Sequence, residues 1–178
     1  MRKVVAYELL SLDGVAEAPN EFITEWDSVM DENLGRVIGK QDAVLLGRRM
    51  YDEWALFWPP SDIEPFASFI NNVQKYVVTS SALDIPWSHS TVIGSDFANT
   101  VLELKNQAGG DIGVHGSISL VKGLLASGLI DELSLVIAPA LHGRGRLLFD
   151  EGISTGMTLT RSVVSPSGYL LLDYALTN

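Results

Sequence analysis

Short apolar runs alternate along the chain with stretches whose apolar residues recur at helical spacing, a pattern that predicts strands joined by crossover helices. Residues 2–10 form a nearly continuous apolar run, as in a strand covered on both faces, and the run ends at Ser11-Leu12-Asp13-Gly14. A helix is expected over 28–38, where Met30, Leu34, Val37 and Ile38 share one face, Ser28 with Asp31 resembles a capping box, and Gly39 stops it. Residues 43–46 read as a second buried strand entering Gly47, followed by a short helix over 48–54. After the break at Pro59-Pro60, Ile63, Phe66 and Ile70 mark another helix with Pro65 in its first turn. Short strands are expected at 75–79 and 91–93, then a helix capped by Asp96 with Phe97, Val101 and Leu104 inward, closed by Gly109-Gly110. A fifth strand over 112–115 passes through Gly116-Ser117 into a helix that carries Ile118, Val121, Leu125 and, past Gly128, Leu129. Residues 132–138 alternate as a strand, and 157–164 and 169–176 read as a hairpin about Ser165-Pro166-Ser167-Gly168. The expected fold is therefore a single α/β domain over 1–178, with a mostly parallel sheet that ends in antiparallel strands.

Composition narrows the function. A chain of 178 residues with 47% hydrophobic and 19% charged positions is globular rather than disordered. Its net charge of −10, with no segregated basic stripe, disfavours a nucleic-acid partner. The absence of cysteine excludes thiolate metal sites and cysteine nucleophiles and suits a reducing, cytoplasmic setting. The first residues reach an acid too soon for a signal-peptide core, so no membrane partner is expected. The three histidines lie far apart with no acid at ligand spacing, so no metal site is expected either.

Open α/β sheets bind ligands beyond the carboxyl ends of their strands, which makes three junctions informative. At Leu46-Gly47-Arg48-Arg49-Met50, a glycine admits close backbone approach, a helix start offers free N–H groups to an anion, and two arginines add charge; an exposed turn is the plain alternative. At Val78-Thr79-Ser80-Ser81, three hydroxyls are placed to meet a phosphate or ribose, or simply to make a turn. At His115-Gly116-Ser117-Ile118, a buried strand runs into a helix start of the same anion-binding kind, with His115 either facing a ligand or buried as a satisfied imidazole. Three strand ends that suit phosphate or ribose together favour a dinucleotide. Phe22, Trp26, Trp54 and Trp58 are the aromatic candidates for a flat ring pocket, with core packing as their alternative role. Arg144 and Arg146, between glycines, either meet an anion or bracket a turn.

The ordered set Ser-Leu-Asp-Gly-Val (11–15), Leu-Leu-Gly-Arg-Arg-Met-Tyr (45–51), Val-Val-Thr-Ser-Ser (77–81) and Val-His-Gly-Ser-Ile-Ser-Leu (114–120), with Leu-Leu-Ala-Ser-Gly-Leu-Ile-Asp-Glu-Leu (124–133), resembles the dihydrofolate reductase superfamily. The likeness is closer to the reductase domain at the carboxyl end of the bacterial bifunctional riboflavin-biosynthesis deaminase-reductase. It covers nearly the whole chain and is most specific from Gly116 through Gly145. The resemblance implies a three-layer dihydrofolate-reductase-like fold with helices on both faces of the sheet, and an NADPH-dependent reductase of a pterin or a pyrimidine such as 5-amino-6-(5-phosphoribosylamino)uracil. Carried over, Gly47, Arg48 and Arg49 together with His115, Gly116, Ser117 and Ile118 face the cofactor and its pyrophosphate. Thr79, Ser80 and Ser81 lie near the adenosine phosphate, and Leu12, Asp13, Gly14 and Val15 cover the nicotinamide and substrate with Phe22 and Trp26.

A folate-reducing enzyme places a carboxylate on the helix after this loop. Asp27 and Asp31 are the candidates, and Asp31 is preferred by its distance from Gly47, although an acid in a first helical turn also simply suits the helix dipole. Between Gly14 and Ser28 there is no lysine or arginine, which disfavours a phosphorylated substrate. A nucleotide-binding protein of the same fold without turnover is the competing reading. A dimeric interaction module is another, pairing through an apolar edge of Leu170, Leu172, Tyr174 and Leu176; a homodimer is compatible with the reductase as well.

Overall fold

The protein is described by a computed structural model over residues 1–94, 96–149 and 152–177. Six strands run parallel: β1 (Val4–Leu10), β2 (Gln41–Gly47), β3 (Gln74–Val78), β4 (Ser90–Ile93), β5 (Asp111–His115) and β6 (Glu132–Ile137). The antiparallel strands β7 (Met157–Val164) and β8 (Leu170–Leu176) complete one sheet in the order β4-β3-β2-β5-β1-β6-β8-β7. β1 is central because it is apolar on both faces, and alternation along it sorts two cores. Val5 and Tyr7 pack under α1 (Ser28–Ile38), α2 (Arg48–Phe57) and α3 (Phe66–Asn72). Val4, Ala6 and Leu10 pack under α4 (Phe97–Asn106) and α5 (Ile118–Ala126). The expected three layers, with helices on both faces of a mostly parallel sheet, are what the chain forms.

Several local expectations are corrected. The residue capping α1 is Asp27, not Ser28: its carboxylate accepts from the backbone N–H of Val29 and Met30, which removes it from the list of catalytic candidates. It also accepts from Ser167 N, so it ties the helix start to the hairpin turn. Asp96 stands at the start of α4 without capping it by its side chain; its carboxylate is taken by the Asn99 amide. In α5 the deepest residues are Val121 and Leu124 rather than Leu125, because the helix lies flat on the sheet and also turns Ile118 and Leu120 inward. Pro65 falls just before α3 rather than within its first turn. The apolar edge expected at Leu170, Leu172, Tyr174 and Leu176 is not an edge: β8 is covered on both sides by β6 and β7, and β7 is the outermost strand.

Two polar clusters inside the sheet fix elements that carry the site. Asp173 on β8 accepts from Arg36 of α1 at 2.7 Å and from Ser134 of β6 at 2.7 Å, while Asn33 of α1 accepts from Arg161 of β7 at 2.7 Å. These bonds hold α1 against the carboxyl half of the sheet. On the face covered by α1, α2 and α3, the Gln41 side chain lies along the sheet past Gly113 and its Oε1 sits 2.8 Å from His115 Nε2. Glycine is required at 113 for that path: a methyl group there would overlap Gln41 Oε1 and lie 2.8 Å from His115 Nε2.

Gly113→Ala is therefore expected to destabilise the protein by about 2–4 kcal/mol, from overpacking and loss of a buried hydrogen bond. Gly35→Ala, at a helical position with nothing within 4 Å of the added carbon, is expected to stabilise by about 0.5–1 kcal/mol. Urea midpoints of the two variants against the parent check both signs.

Candidate active site

β2 and β5 are adjacent parallel strands, so their carboxyl ends, and the helices that start there, open onto the same rim. β2 ends at Gly47 and α2 begins at Arg48; β5 ends at His115 and, after Gly116 and Ser117, α5 begins at Ile118. The two turns touch, since a Cβ on Gly47 would lie 2.7 Å from Ser117 Oγ. Gly116 has φ +65°, the left-handed region in which a side chain is strained, and a Cβ there would meet Met50 Cε at 3.1 Å. Neither helix start carries a side-chain cap, so both present their first N–H groups outward.

A cavity of about 1260 Å³ opens at this rim. Gly47, Arg48, Arg49, His115, Gly116, Ser117 and Ile118 line it, as do Trp26 and Asp31 at the opposite wall. Its apolar surfaces come from Leu34, Met50, Trp54, Trp58, Ile63 and Phe66, with Val78, Phe97 and Gly123 at the far end beside α5. Trp54 and Trp58 stand edge to face with Phe66, at centroid distances of 5.5 and 4.8 Å, and make a rigid aromatic wall. Trp26 Nε1 donates to Asp31 Oδ1 at 2.6 Å, joining the loop before α1 to the first turn of that helix.

The remaining expected site residues lie elsewhere. Leu12 is exposed, Asp13 accepts from the backbone N–H groups of His142 and Gly143 at 3.0 and 2.8 Å, and Val15 bridges Leu147. Together with Gly14, at φ +85°, they clasp residues 140–148 rather than roof the cavity. The Ser11 hydroxyl and those two N–H groups hold the Asp13 carboxyl far below the usual carboxylate range, which marks it as a fixed acceptor. The same loop reaches the cavity one residue later, through Ala16, Glu17, Ala18, Pro19 and Asn20. Phe22 is buried in the core with its ring 5.3 Å from that of His142. Thr79, Ser80 and Ser81 do not line the cavity; Ser81 instead accepts from Arg48 Nη1 at 2.7 Å. Arg48 is further held by Asp52, at 2.8 Å, and by Asp84, at 2.7 Å, so it braces the turn after β3. Arg49 pairs with Glu53 and is mostly exposed. Arg146 lines the cavity and donates to Ser119 Oγ at 2.8 Å, whereas Arg144 pairs with Glu21.

His115 reconciles its two readings. It is buried against Gln41, Tyr7, Phe66 and Phe69, and burial pushes its imidazole down to about 3, so it is neutral, yet one side of it contributes to the cavity wall. The residue that sequence reasoning missed is Glu8. It sits within the apolar run of β1, on the α4 and α5 face, only 2% exposed, and it lines the cavity. The signal was present: an acid inside a strand covered on both faces has no ordinary structural reason to be there. Its Oε1 is shut off from solvent without a hydrogen-bond partner, and burial pushes the carboxyl up to about 8 against the opposing effect of the Gly116 backbone N–H.

Comparison with known proteins agrees with this architecture. The chain is 28% identical over 173 residues to the uncharacterised protein YyaP of Bacillus subtilis (strain 168), covering 92% of this chain and 90% of that one. Among solved structures it is similar to a putative riboflavin biosynthesis protein from Shewanella sp. PV-4, with a TM-score of 0.79, 17% identity and 99% coverage of both chains. It is also similar to dihydrofolate reductase from Enterococcus faecalis complexed with NADP(H) and RAB-propyl, with a TM-score of 0.66, 15% identity, and 99% of this chain and 97% of that one covered. These likenesses establish the dihydrofolate-reductase-like fold. With residues 2–171 matching the model of the RibD C-terminal domain, on a sheet whose adjacent strand ends carry the turns that the sequence singled out, the chain belongs to the RibD C-terminal domain family.

Proposed function

We propose that the protein is an NADPH-dependent reductase of a flat heterocycle of the pterin or pyrimidine type. The observation that carries this reading is the contact of the Gly47 and Gly116–Ser117 turns at neighbouring strand ends, two uncapped helix starts side by side over one cavity. One helix start is a common feature of α/β folds; two that meet suit a ligand with two linked phosphates. The family membership and the dihydrofolate reductase fold, in a relative whose structure is complexed with NADP(H), support the same cofactor. The residues fit it: a side chain at Gly47 would fill the space beside Ser117, and one at Gly116 would crowd Met50.

In this reading the main-chain N–H groups after Gly47 and Gly116 bind the pyrophosphate. The bound nicotinamide supplies a hydride. Trp54, Trp58 and Phe66 hold the acceptor ring by its faces and keep water from it, and α1 carries Asp31 to the far wall, where its carboxylate is the group placed to pass a proton to the ring. The Trp26 indole orients that carboxylate. The segment between Gly14 and Ser28 carries no lysine or arginine, which favours an unphosphorylated ring as the acceptor.

Trp26, Trp54 and Trp58 line the cavity, so NADPH is expected to quench the intrinsic fluorescence in a saturable titration; a flat titration up to millimolar NADPH refutes the reading. Gly47→Ala is expected to raise the NADPH Kd about tenfold, roughly 1.4 kcal/mol, and adding Ser117→Ala is expected to recover part of that loss by removing the hydroxyl in the way. With pterin and pyrimidinone acceptors followed at 340 nm, Asp31→Asn is expected to lower kcat by about 100-fold or more while the NADPH titration stays within twofold of the parent. An unchanged kcat would take the proton-transfer role away from Asp31.

A further inference from the structure

A dinucleotide brings phosphate charge to a chain whose net charge is already −10, and main-chain N–H groups set only partial charges against it. Among the described residues, three cations line the cavity: Arg48, Arg49 and Arg146. The first two are taken, Arg48 by Asp52 and Asp84 and Arg49 by Glu53. Elsewhere Arg2, Arg36 and Arg144 each pair with an acid, and Arg161 donates to Asn33. Arg146 differs from all of them. It is exposed, its Nη2 donates to the hydroxyl of Ser119 at 2.8 Å, and no acid among the described residues pairs with its guanidinium.

The bond to Ser119 fixes where that charge stands. Ser119 is the second residue of α5, in the turn that follows Gly116 and Ser117, and it lines the cavity together with Arg146. The guanidinium is therefore held beside the helix start on which one phosphate of the ligand would rest. The main chain at 146 is held as well: its N–H donates to Glu17 Oε2 at 3.1 Å, its carbonyl accepts from Ala16 N at 2.9 Å, and the next residue, Leu147, bridges Val15. A guanidinium anchored through its backbone and one nitrogen gives up little further freedom when an anion arrives, and its remaining N–H groups are available to it.

We propose that Arg146 is the cation that binds the dinucleotide pyrophosphate, its guanidinium donating charge-assisted hydrogen bonds to the phosphate seated on the first turn of α5. The inference rests on the nicotinamide-dinucleotide reading and deepens it. The residue type suits the task, because the planar fork of a guanidinium matches two phosphate oxygens and the group is more weakly hydrated than an ammonium. The arrangement also joins the cofactor to the loop after β1: Ala16 and Glu17, which hold the Arg146 main chain, line the cavity themselves, so the cation and that wall are placed together. Arg144 provides the matched comparison. It stands two residues away on the same loop, pairs with Glu21 and does not line the cavity.

Fluorescence titration of the intact chain with NADPH tests the assignment. Arg146→Met is expected to raise the Kd about 20-fold, as for the loss of one charged hydrogen-bonding pair, whereas Arg144→Met, with the same change in net charge, is expected to stay within about twofold of the parent. Arg146→Gln keeps a donor for Ser119 without the charge, and should lose as much affinity as Arg146→Met. Since the contact is ionic, raising the salt from about 20 to 300 mM should weaken the parent more steeply than Arg146→Met. NADH carries the pyrophosphate without the 2′-phosphate, so Arg146→Met should weaken NADH and NADPH by the same factor. An unchanged Kd in Arg146→Met, an Arg146→Gln variant that binds like the parent, equal salt dependence in parent and variant, an equal loss in Arg144→Met, or a loss confined to NADPH overturns the proposal while leaving the reductase reading in place. Failure of the parent to bind NADPH overturns the reductase reading and this inference with it. Should Arg146→Met not fold, Arg146→Gln takes its place in the salt and NADH comparisons and decides.

Discussion

The placement of two helix starts beside each other is the constraint on which the site depends. In a parallel sheet every strand must hand the chain to a helix on the same rim, and the first N–H groups of that helix find no partner within it. β2 and β5 are neighbours in the sheet although some sixty residues of chain separate them, so α2 and α5 deliver two such sets of donors to one place. The glycines at 47 and 116 make the arrangement possible. At 116 the backbone takes a conformation that a side chain resists, and at 47 the space that a side chain would need belongs to the Ser117 hydroxyl.

Around that pair of turns the remaining polar groups sort by what they touch. Arg48 answers to Asp52, Asp84 and Ser81, and Asp13 to the backbone of His142 and Gly143, so residues that look chemically expressive in the sequence are used to hold loops. The α1 helix is pinned by Arg36 and Asn33 to strands β7 and β8, and this is what keeps Asp31 facing the aromatic wall made by α2 and α3. The antiparallel hairpin at the end of the chain therefore matters to the site without lining it: its Asp173 and Arg161 are the anchors of the helix that does.

Glu8 and His115 show how burial changes the meaning of a titratable residue. His115 directly precedes Gly116 and Glu8 follows Tyr7, the residue paired with His115, and both are displaced toward their neutral forms by loss of water. His115 has Gln41 at hydrogen-bond distance and closes its account with the core. Glu8, which also lines the cavity, keeps one oxygen shut off from solvent and without a hydrogen bond.

Periodicity alone determined the succession of strands and helices, the parallel sheet with its antiparallel ending, and the strand-to-helix turns at Gly47 and Gly116, because alternation, helical spacing and glycine at a strand end are local properties of the chain. Trp26 and Asp31 were legible as candidates for the same reason: one is an aromatic in a loop, the other an acid in a first helical turn. What the sequence did not contain was the set of partners. That Ser81 backs Arg48 instead of facing the cavity, that Leu12 to Val15 grip the segment after β6, and that β8 is interior rather than an edge all follow from contacts between residues far apart in the chain. Glu8 was overlooked because an acid in an apolar run reads as a flaw in the pattern until the fold removes it from water and leaves one of its oxygens without a hydrogen bond.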